Sequence, residues 1–188
     1  MRIISGIYKG KKIQQPNDNK TRPLKDLTKV SIFNILTHSN KIKVALQESE
    51  VLDLFSGVGS FGIECLSRGV KQVTFVEKYK KVLPILKKNL LNLNEINNYK
   101  IIEKDIYEDS FFEIFIKKFD VIFLDPPYKD DLNIILEKIN NLNLLNTNGI
   151  IILHRHKNQK DKFPNNYKII EQRKYGISKV MFINSSPQ

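Results

Sequence analysis

Residues 51–62, VLDLFSGVGSFG, decide the fold of this chain. A short apolar run leads into a glycine-rich turn, and the turn opens a segment in which apolar residues recur at helical spacing. Gly57, Gly59 and Gly62 have the G-x-G-x-x-G spacing of a nucleotide-binding turn between a strand and a helix. The stretch therefore predicts the first strand, turn and helix of an α/β fold whose ligand lies against the turn.

The same alternation of strands and helices continues along the chain. Predicted strands lie near 50–55, 72–76, 99–103, 120–124 and 149–154, and predicted helices near 59–68, 79–93, 109–117 and 130–142. This pattern predicts a parallel sheet with helices on both faces. Two further strand-like runs, 167–171 and 178–183, have no helical pattern between them and predict an antiparallel hairpin at the edge of the sheet.

The first 43 residues differ from the remainder in charge. The chain of 188 residues has a net charge of +11, of which residues 1–43 contribute +8 and the other 145 residues +3. Within this extension, residues 2–13 predict a small hairpin, and Asp26 is the predicted N-cap of a helix that runs to Leu36. A basic extension on a nearly neutral domain indicates a partner with a phosphate backbone. The cations expected to contact it are Arg2, Lys9, Lys11, Lys12, Arg22, Lys25 and Lys29.

Length and composition are those of a soluble globular protein. We expect an extension at 1–43 and one main domain at 44–188, with 41% hydrophobic and 27% charged residues overall. The single cysteine, Cys65, excludes a disulfide framework and is expected to pack inside a helix. No apolar run reaches the roughly 18 residues of a membrane span, and the N-terminus lacks a signal-peptide core. We expect a cytoplasmic monomer without a metal site.

Asp53 distinguishes between two kinds of nucleotide ligand. The glycines, followed about twenty residues later by Glu77, match the pattern of a dinucleotide site. Asp53, however, ends the strand just before the glycines, where its carboxylate would repel a pyrophosphate and attract a cation. S-adenosylmethionine carries a sulfonium and an ammonium group and no phosphate. The pattern therefore favours S-adenosylmethionine over NAD, with Glu77 accepting from the ribose hydroxyls.

Acidic residues also follow the next strands. Asp105 ends the third strand, where it could accept from the adenine amino group while Ile106 covers the ring. Asp53, Glu77, Asp105 and Asp125 thus lie at or just past the ends of four successive predicted strands. Because the carboxyl ends of parallel strands line the ligand crevice of an open α/β sheet, we expect these four carboxylates to share one crevice.

Residues Asp125, Pro126, Pro127 and Tyr128 form the predicted catalytic motif. They follow an apolar strand directly, and the two prolines cannot donate hydrogen bonds to a sheet. The Asp125 carboxylate and the Pro126 carbonyl can both accept protons from an exocyclic amine, and Tyr128 can stack on the base that carries it. The motif therefore predicts a site that makes an aromatic amine nucleophilic.

Together these motifs resemble those of class I S-adenosylmethionine-dependent methyltransferases. The N-terminal sequence MRIISG with KGKK at 9–12, then TRP at 21–23 and FNIL at 33–36, resembles the RsmD family of bacterial 16S ribosomal RNA guanine-N2 methyltransferases. The resemblance implies a Rossmann-like fold, methylation of a guanine of small-subunit RNA (position 966 gives the family its name), and binding to that subunit or its assembly intermediates. It also adds Phe55 and Ser56 to the cofactor-binding residues.

Other functions stay open at the level of sequence. The same chemistry would suit DNA adenine N6 or another RNA base, and only the N-terminal motifs argue against those targets. An NAD-binding oxidoreductase would explain the glycines and Glu77 but not Asp53 or the motif at 125–128. A non-catalytic RNA-binding protein with this fold is a further alternative. His154 and His156 are expected at a solvated strand end and receive no role.

Overall fold

The sheet of this protein has all seven predicted strands. The computed structural model describes residues 1–16, 24–127 and 129–185. The strands are β1 (Glu50–Leu54), β2 (Gln72–Val76), β3 (Tyr99–Ile102), β4 (Phe119–Leu124), β5 (Leu145–His156), β6 (Tyr167–Tyr175) and β7 (Ser178–Ser185). Their spatial order is β3-β2-β1-β4-β5-β7-β6, in which β7 pairs antiparallel with β5 and β6 and the other pairs are parallel. The predicted mostly parallel sheet with a C-terminal antiparallel hairpin is confirmed.

Helices cover both faces of the sheet, each over its own apolar cluster. On one face, α1 (Asp26–His38), α2 (Ser60–Ser67) and α3 (Leu83–Leu91) pack on alternate strand residues that include Val51 and Val121. On the other face, α4 (Asn133–Asn141) packs on the strand residues in between, which include Leu52 and Ile122. Because both faces are covered, the central strands have apolar residues on both faces, as is typical of parallel sheets.

Successive strands are added on two opposite sides of the central pair β1 and β4. β1 connects to β2 on one side, whereas β4, which also pairs with β1, connects to β5 on the other side. Asp53 lies opposite Phe123 and Leu54 opposite Leu124, so the two central strands end at the same level. Open α/β sheets bind ligands in the crevice at such a point, beyond the carboxyl ends of the strands.

One predicted helix is absent from the structure. Residues 109–117 form no α-helix, and the helical part of this segment is a single 3-10 turn, Phe111–Ile114. The rings of Phe111 and Phe112 meet edge to face with centroids 5.0 Å apart. Adjacent side chains do not face each other on an α-helix, so this aromatic contact requires a different backbone. The prediction was wrong because packing of the phenylalanines outweighed the helical periodicity.

Two helices begin later than predicted or are capped differently. α3 begins at Leu83 rather than at residue 79, with Pro84 in its first turn, where proline is favoured. In α1 the N-cap position is occupied by Lys25, and Asp26 is the first helical residue, without a side-chain cap bond. The Asp26 carboxylate still lies in the first turn, where it interacts favourably with the helix dipole.

The N-terminal hairpin packs onto the main domain. Arg2 and Lys12 form an antiparallel bridge, which agrees with the predicted hairpin. Ile3 and Ile13 are buried in the same apolar cluster as Phe61 of α2. The basic extension therefore shares its core with the domain that carries the crevice.

A buried carboxylate fixes this hairpin and α1 to α2. Glu64 of α2 accepts from the backbone N–H groups of Ile4 and Ser5 at 2.8 and 2.9 Å, and from Arg68 Nε at 2.9 Å. Lys29 Nζ of α1 lies 3.4 Å from the same carboxylate, and neither side chain has exposed surface. Burial lowers the pKa of Lys29, while Glu64 acts in the opposite direction. The prediction that Lys29 contacts RNA is wrong, because Lys29 is buried and its ammonium group pairs with Glu64.

Among the described residues, no helix is long and apolar enough to cross a membrane.

Candidate active site

Four strand ends bring the predicted acidic residues to one edge of the sheet. Asp53 belongs to β1, Glu77 follows β2, Asp105 lies just beyond β3 and Asp125 follows β4. These strands are neighbours in the order β3-β2-β1-β4, and all run in the same direction. The four carboxyl groups therefore lie along the crevice edge in the arrangement that the sequence predicts.

Asp53 is the buried member of this set. Its side chain is almost wholly inside the protein, and Oδ2 accepts from the backbone N–H of Gly62 in α2 at 3.0 Å. Burial raises the pKa of Asp53 well above its usual range, and the Asp125 and Glu77 carboxylates raise it further. The site therefore disfavours more negative charge, and a cation placed beside these carboxylates would relieve their repulsion.

Glu77 links the glycine turn to the loop that follows β2. Oε2 accepts from the N–H of Gly57 at 2.7 Å, and Oε1 accepts from the N–H of Tyr79 at 2.7 Å. Ser56, predicted as a cofactor contact, is buried, and its hydroxyl lies 2.6 Å from the Asp53 carbonyl and 2.9 Å from the Val76 N–H. The Ser56 side chain thus fixes the turn to β1 and β2.

The backbone of the glycine turn adopts conformations that side chains disfavour. Gly57 and Gly59 have positive φ angles of 54° and 84°. A Cβ on Gly59 would lie 2.5 Å from Leu86 Cδ1. Phe55 also has a positive φ, 62°, which costs about 1–3 kcal/mol for a residue other than glycine. Strain of this kind collects at ligand sites, and here it lies between the first strand and α2.

Asp105 is bound to the neighbouring loops. Oδ2 forms an ion pair of 2.8 Å with Lys78 Nζ, and Oδ1 accepts from the N–H of Tyr107 at 3.1 Å. Burial raises the pKa of Asp105, but the hydrogen bonds from Lys78 and Tyr107 outweigh it, so the pKa lies below its usual value. Ile106 is buried in the apolar cluster of the α4 face. Contacts of Asp105 and Ile106 with an adenine ring stay predictions.

Tyr107 connects this loop with the loop after β4. Its hydroxyl donates to Asp130 Oδ2 at 2.7 Å, and its ring lies 6.1 Å from that of Phe55. Burial and the Asp130 carboxylate both raise the pKa of Tyr107 above its usual value. The phenol therefore stays protonated and joins the two loops that flank the crevice.

The motif at 125–127 lies where β4 ends. Asp125 is partly exposed, Pro126 is buried and Pro127 is exposed. The backbone of Asp130 donates to the Pro127 carbonyl at 3.0 Å, which closes a turn directly after the prolines. Tyr128, the predicted stacking residue, lies outside the described residues.

His154 contacts the predicted catalytic carboxylate. It ends up buried rather than at a solvated strand end, so that interpretation was wrong. His154 Nδ1 lies 2.8 Å from Asp125 Oδ1. Burial lowers the pKa of His154, but the charge and hydrogen bond of Asp125 outweigh it, so the pKa lies above its usual value. His156, the other histidine of β5, is half-buried and forms interactions of its own.

Arg155 fixes the loop that carries the motif. Its side chain is fully buried, and its guanidinium donates to the carbonyls of Pro127 and Asp130 at 3.1 and 2.9 Å. Arg155 Nε also donates to Asp161 Oδ1 at 2.8 Å, and Lys179 Nζ lies 3.1 Å from Asp161 Oδ2. Because a guanidinium presents its donors in a fixed planar arrangement, Arg155 constrains the positions of the Pro127 and Asp130 carbonyls relative to β5.

The sequence contained one signal for His154 and none for the role of Arg155. The predicted strand 149–154 ends at His154, level with the end of the strand before Asp125. In a parallel pair such ends are neighbours, and Leu124 indeed lies opposite Leu153. Which side chain of β5 then points toward the Asp125 carboxylate depends on how side chains alternate between the two faces of the folded sheet.

The predicted basic contacts lie mainly on the surface. Lys9, Lys12 and Lys25 are exposed, as are Arg2 and Lys11. Arg2 Nε lies 3.8 Å from Asp26 Oδ2 on the neighbouring helix. Lys11 donates to the Asn92 carbonyl at 2.9 Å. Arg22 lies outside the described residues, and RNA contact by the exposed cations stays a prediction.

In the part of the chain that the structure describes, no group of three His, Cys, Asp or Glu side chains is arranged to hold a metal ion. Cys65 is fully buried in α2, and burial raises the pKa of its thiol well above the usual value. Cys65 is therefore a packing residue, as the sequence predicts.

Comparisons with known proteins find similarity in sequence and in structure over nearly the whole chain. The family model described as "Conserved hypothetical protein 95" matches residues 1–184. The chain is 34% identical over 186 residues to ribosomal RNA small subunit methyltransferase D of Haemophilus influenzae, covering 94% of this chain and 90% of that protein. A candidate methyltransferase from Escherichia coli superposes with a TM-score of 0.82 at 24% identity, covering 100% of this chain and 99% of that one. A candidate methylase from Haemophilus influenzae superposes with a TM-score of 0.78 at 30% identity, covering 99% and 98%.

Proposed function

The chain belongs to the RsmD family of S-adenosylmethionine-dependent ribosomal RNA methyltransferases, and we propose that it methylates the exocyclic N2 of a guanine in 16S ribosomal RNA. The observation that carries this proposal is the turn of Asp125, Pro126 and Pro127 beside a crevice edged by Asp53 and Glu77. The turn offers acceptors to an amine, and the crevice favours a cationic ligand.

The carboxylates of the crevice suit S-adenosylmethionine. Burial raises the pKa of Asp53, the Asp125 and Glu77 carboxylates raise it further, and a sulfonium and an ammonium group beside these carboxylates would stabilise their ionised forms. Glu77 would exchange its backbone partners at Gly57 and Tyr79 for the ribose hydroxyls. Asp105 would accept from the adenine amino group in competition with Lys78. The pyrophosphate of NAD would instead meet carboxylates, which disfavours the oxidoreductase alternative.

The target amine needs activation because its lone pair is delocalised into the guanine ring. S-adenosylmethionine supplies, when bound, a methyl group on positively charged sulfur. The Asp125 carboxylate and the Pro126 carbonyl accept from the two N2–H groups and favour a pyramidal nitrogen with an available lone pair. Positive charge develops on N2 as the new bond forms, and Asp125 stabilises that charge and then takes the proton.

Rigidity of the motif contributes to the rate. Pro126 has no rotational freedom at φ, and Arg155 holds the adjoining carbonyls of Pro127 and Asp130. Acceptors fixed in this way need little reorganisation during the reaction. Holding the amine in line with the methyl group, at about 3–3.5 Å, contributes several kcal/mol through orientation.

The RNA must present its guanine outside a helix. A stacked or paired base cannot reach a crevice at a sheet edge, so the nucleotide is extruded or lies in a loop. Tyr128 follows the acceptors directly in the sequence and would stack on the base. The exposed cations Arg2, Lys9, Lys11, Lys12 and Lys25 would bind the RNA backbone. The substrate would be the small subunit or an assembly intermediate of it, which locates the protein in the cytoplasm.

Mapping the methylated base tests this function. The purified chain is incubated with unmodified 30S particles, free 16S RNA or duplex DNA and with labelled S-adenosylmethionine, and the product nucleoside is identified by mass spectrometry. We expect N2-methylguanosine in the ribosomal RNA. N6-methyladenine in DNA, with no label in ribosomal RNA, would support the other amine target. Binding of RNA without any transfer of label would support the non-catalytic alternative.

A further inference from the structure

His154 and Asp125 form a pair where the parallel pairing of β4 with β5 ends. β4 and β5 run parallel, with Leu124 opposite Leu153, so the next residue of each strand reaches the crevice at the same level. Nδ1 of His154 lies 2.8 Å from Oδ1 of Asp125. The side chain of His154 is 9% exposed and that of Asp125 is 21% exposed, so the histidine is largely shielded from water while the carboxylate is partly accessible.

The surroundings of His154 leave Asp125 as its electrostatic partner. Across the sheet His154 is opposite Val180 of β7, which is buried and apolar. The neighbouring Arg155 bonds Pro127 and Asp161 and is thereby engaged elsewhere. Of the titratable side chains in the described ranges, Asp125 is the one whose charge acts on the pKa of His154.

We propose that His154 is a positioning residue for methyl transfer: it holds Oδ1 of Asp125, so that Oδ2 is left to accept from the target amine, and its neutral form gives the fastest reaction. This inference rests on the proposed function and assigns a role to a residue that lies outside the Asp-Pro-Pro-Tyr motif. An aspartate that had to hold the amine without such a partner could rotate about its last torsion angle and lose the alignment.

Charge development on the amine determines the direction of the pH effect. In the reaction the S–CH3 bond breaks with its electron pair left on sulfur, the N2–CH3 bond forms, and a proton passes from N2 to Asp125. Until that proton leaves, N2 carries positive charge, which Asp125 stabilises. A protonated His154 offsets part of the carboxylate charge, so transfer slows when His154 binds a proton. The raised pKa of His154 moves this loss to a higher pH than an ordinary histidine would give.

Two variants of His154 separate the hydrogen bond from the titration. In His154→Asn the amide nitrogen, like Nδ1, is attached to the γ carbon and can still donate to Asp125, but it does not titrate. In His154→Leu the donor is lost while an apolar side chain fills the site. Single-turnover transfer from labelled S-adenosylmethionine to unmodified 30S particles is measured for wild type and both variants between about pH 6 and pH 9, which brackets histidine titration. Cofactor affinity is measured in parallel by calorimetry.

For wild type we expect a rate that rises with pH through one inflection and then levels off. His154→Asn retains most of the plateau rate and loses the inflection. His154→Leu also lacks the inflection, and it loses about 10- to 100-fold of the plateau rate, the effect of one charge-assisted hydrogen bond, with unchanged cofactor affinity.

Three outcomes overturn the inference or its premise. A His154→Leu variant with the wild-type rate and inflection contradicts the role of His154. If that variant does not fold, an inflection that persists in His154→Asn contradicts it equally. Absence of any transfer by the wild-type chain, whatever the pH, instead contradicts the proposed function on which the inference rests.

Discussion

Asp53 combines a cost to folding with a benefit to ligand binding. Its carboxylate is buried against the start of α2, where burial raises its pKa and Glu77 and Asp125 raise it further. Ionising Asp53 in the folded chain therefore costs free energy when no ligand is bound. The same negative charge attracts the cationic end of S-adenosylmethionine. A group of this kind is expected to be kept for binding and not for stability.

Replacing Asp53 by asparagine should separate these two effects. The pKa of Asp53 is higher in the folded than in the unfolded state, so its contribution to stability is complete below the unfolded pKa and is lost as pH rises through the folded pKa. Asp53→Asn keeps an acceptor for the Gly62 N–H. We expect it to match or exceed the wild-type free energy of unfolding near pH 8, in urea titrations, while S-adenosylmethionine binds at least about tenfold more weakly, a loss of about 1.4 kcal/mol.

The exposed Asp109 provides a control for Asp53. Asp109→Asn removes the same charge from the surface and should change neither the unfolding free energy nor cofactor affinity. Lower stability of Asp53→Asn near pH 8 together with wild-type affinity for S-adenosylmethionine would contradict the account of Asp53.

Single residues also mark the limit of what the sequence predicts. Asp53 and Glu77 were identifiable because strand ends and glycine spacing determine where they lie. The Ser56 hydroxyl bonds the backbone of both adjoining strands, which the sequence did not predict, and contact of Ser56 with the cofactor stays a prediction. Lys29 and His154 were misjudged for one reason: their partners, Glu64 and Asp125, are distant in sequence and are brought near only by the folded chain.

At the scale of elements, the strands were predictable and one helix was not. The runs at 50–55 and 120–124 are apolar and bounded by turn residues, and both became central strands. The segment 109–117 has helical periodicity, but contact between Phe111 and Phe112 selected a shorter 3-10 turn. Tertiary packing outweighs local helix propensity where several aromatic rings can cluster.

Glu64 couples α2 to the N-terminal hairpin and to α1, and its replacement should be costly. Glu64→Gln presents an amide to donors and removes the carboxylate that pairs with the buried ammonium of Lys29. We expect a loss of about 3–5 kcal/mol in the free energy of unfolding, as for other broken buried ion pairs. Urea denaturation followed by circular dichroism measures it.

A glutamate on the opposite face of the sheet serves as the matched control. Glu137 lies exposed on α4, and Glu137→Gln should change the unfolding free energy by less than about 0.5 kcal/mol. Equal stability of the Glu64 and Glu137 variants would show that the charge of the Glu64 carboxylate does not stabilise the fold.

At the scale of the whole molecule, the basic extension and the predicted catalytic carboxylate lie in different parts of the sequence but belong to one packed structure. Residues 1–43 carry +8 of the net charge of +11, and the predicted catalytic carboxylate lies in the other part of the chain. Ile3 and Ile13 of the extension share a core with the helices that flank the crevice. RNA bound to the extension would therefore be held at a fixed position relative to the site.

Salt dependence tests whether the extension binds RNA. The double reversal of Lys9→Glu and Lys12→Glu should weaken binding to 16S RNA and make the salt dependence of log K less steep by about 1.4–1.8, since each phosphate contact contributes about 0.7–0.9. Lys118→Glu changes an exposed lysine just before β4, at the end of that strand away from Asp125, and should have a smaller effect. Filter binding at several salt concentrations measures both. Equal slopes for wild type and the double variant would exclude these two lysines from the interface.

The most direct test of the central claim is the rate at which Asp125→Ala methylates guanine N2 in unmodified 30S particles. Asp109→Ala serves as the control for loss of a carboxylate, and the rate is measured in single turnover with saturating S-adenosylmethionine. The account predicts that Asp125→Ala loses at least about 100-fold in rate, because its acceptor for the developing charge is gone, and keeps its cofactor affinity. Wild-type methylation of guanine N2 by Asp125→Ala would contradict the account.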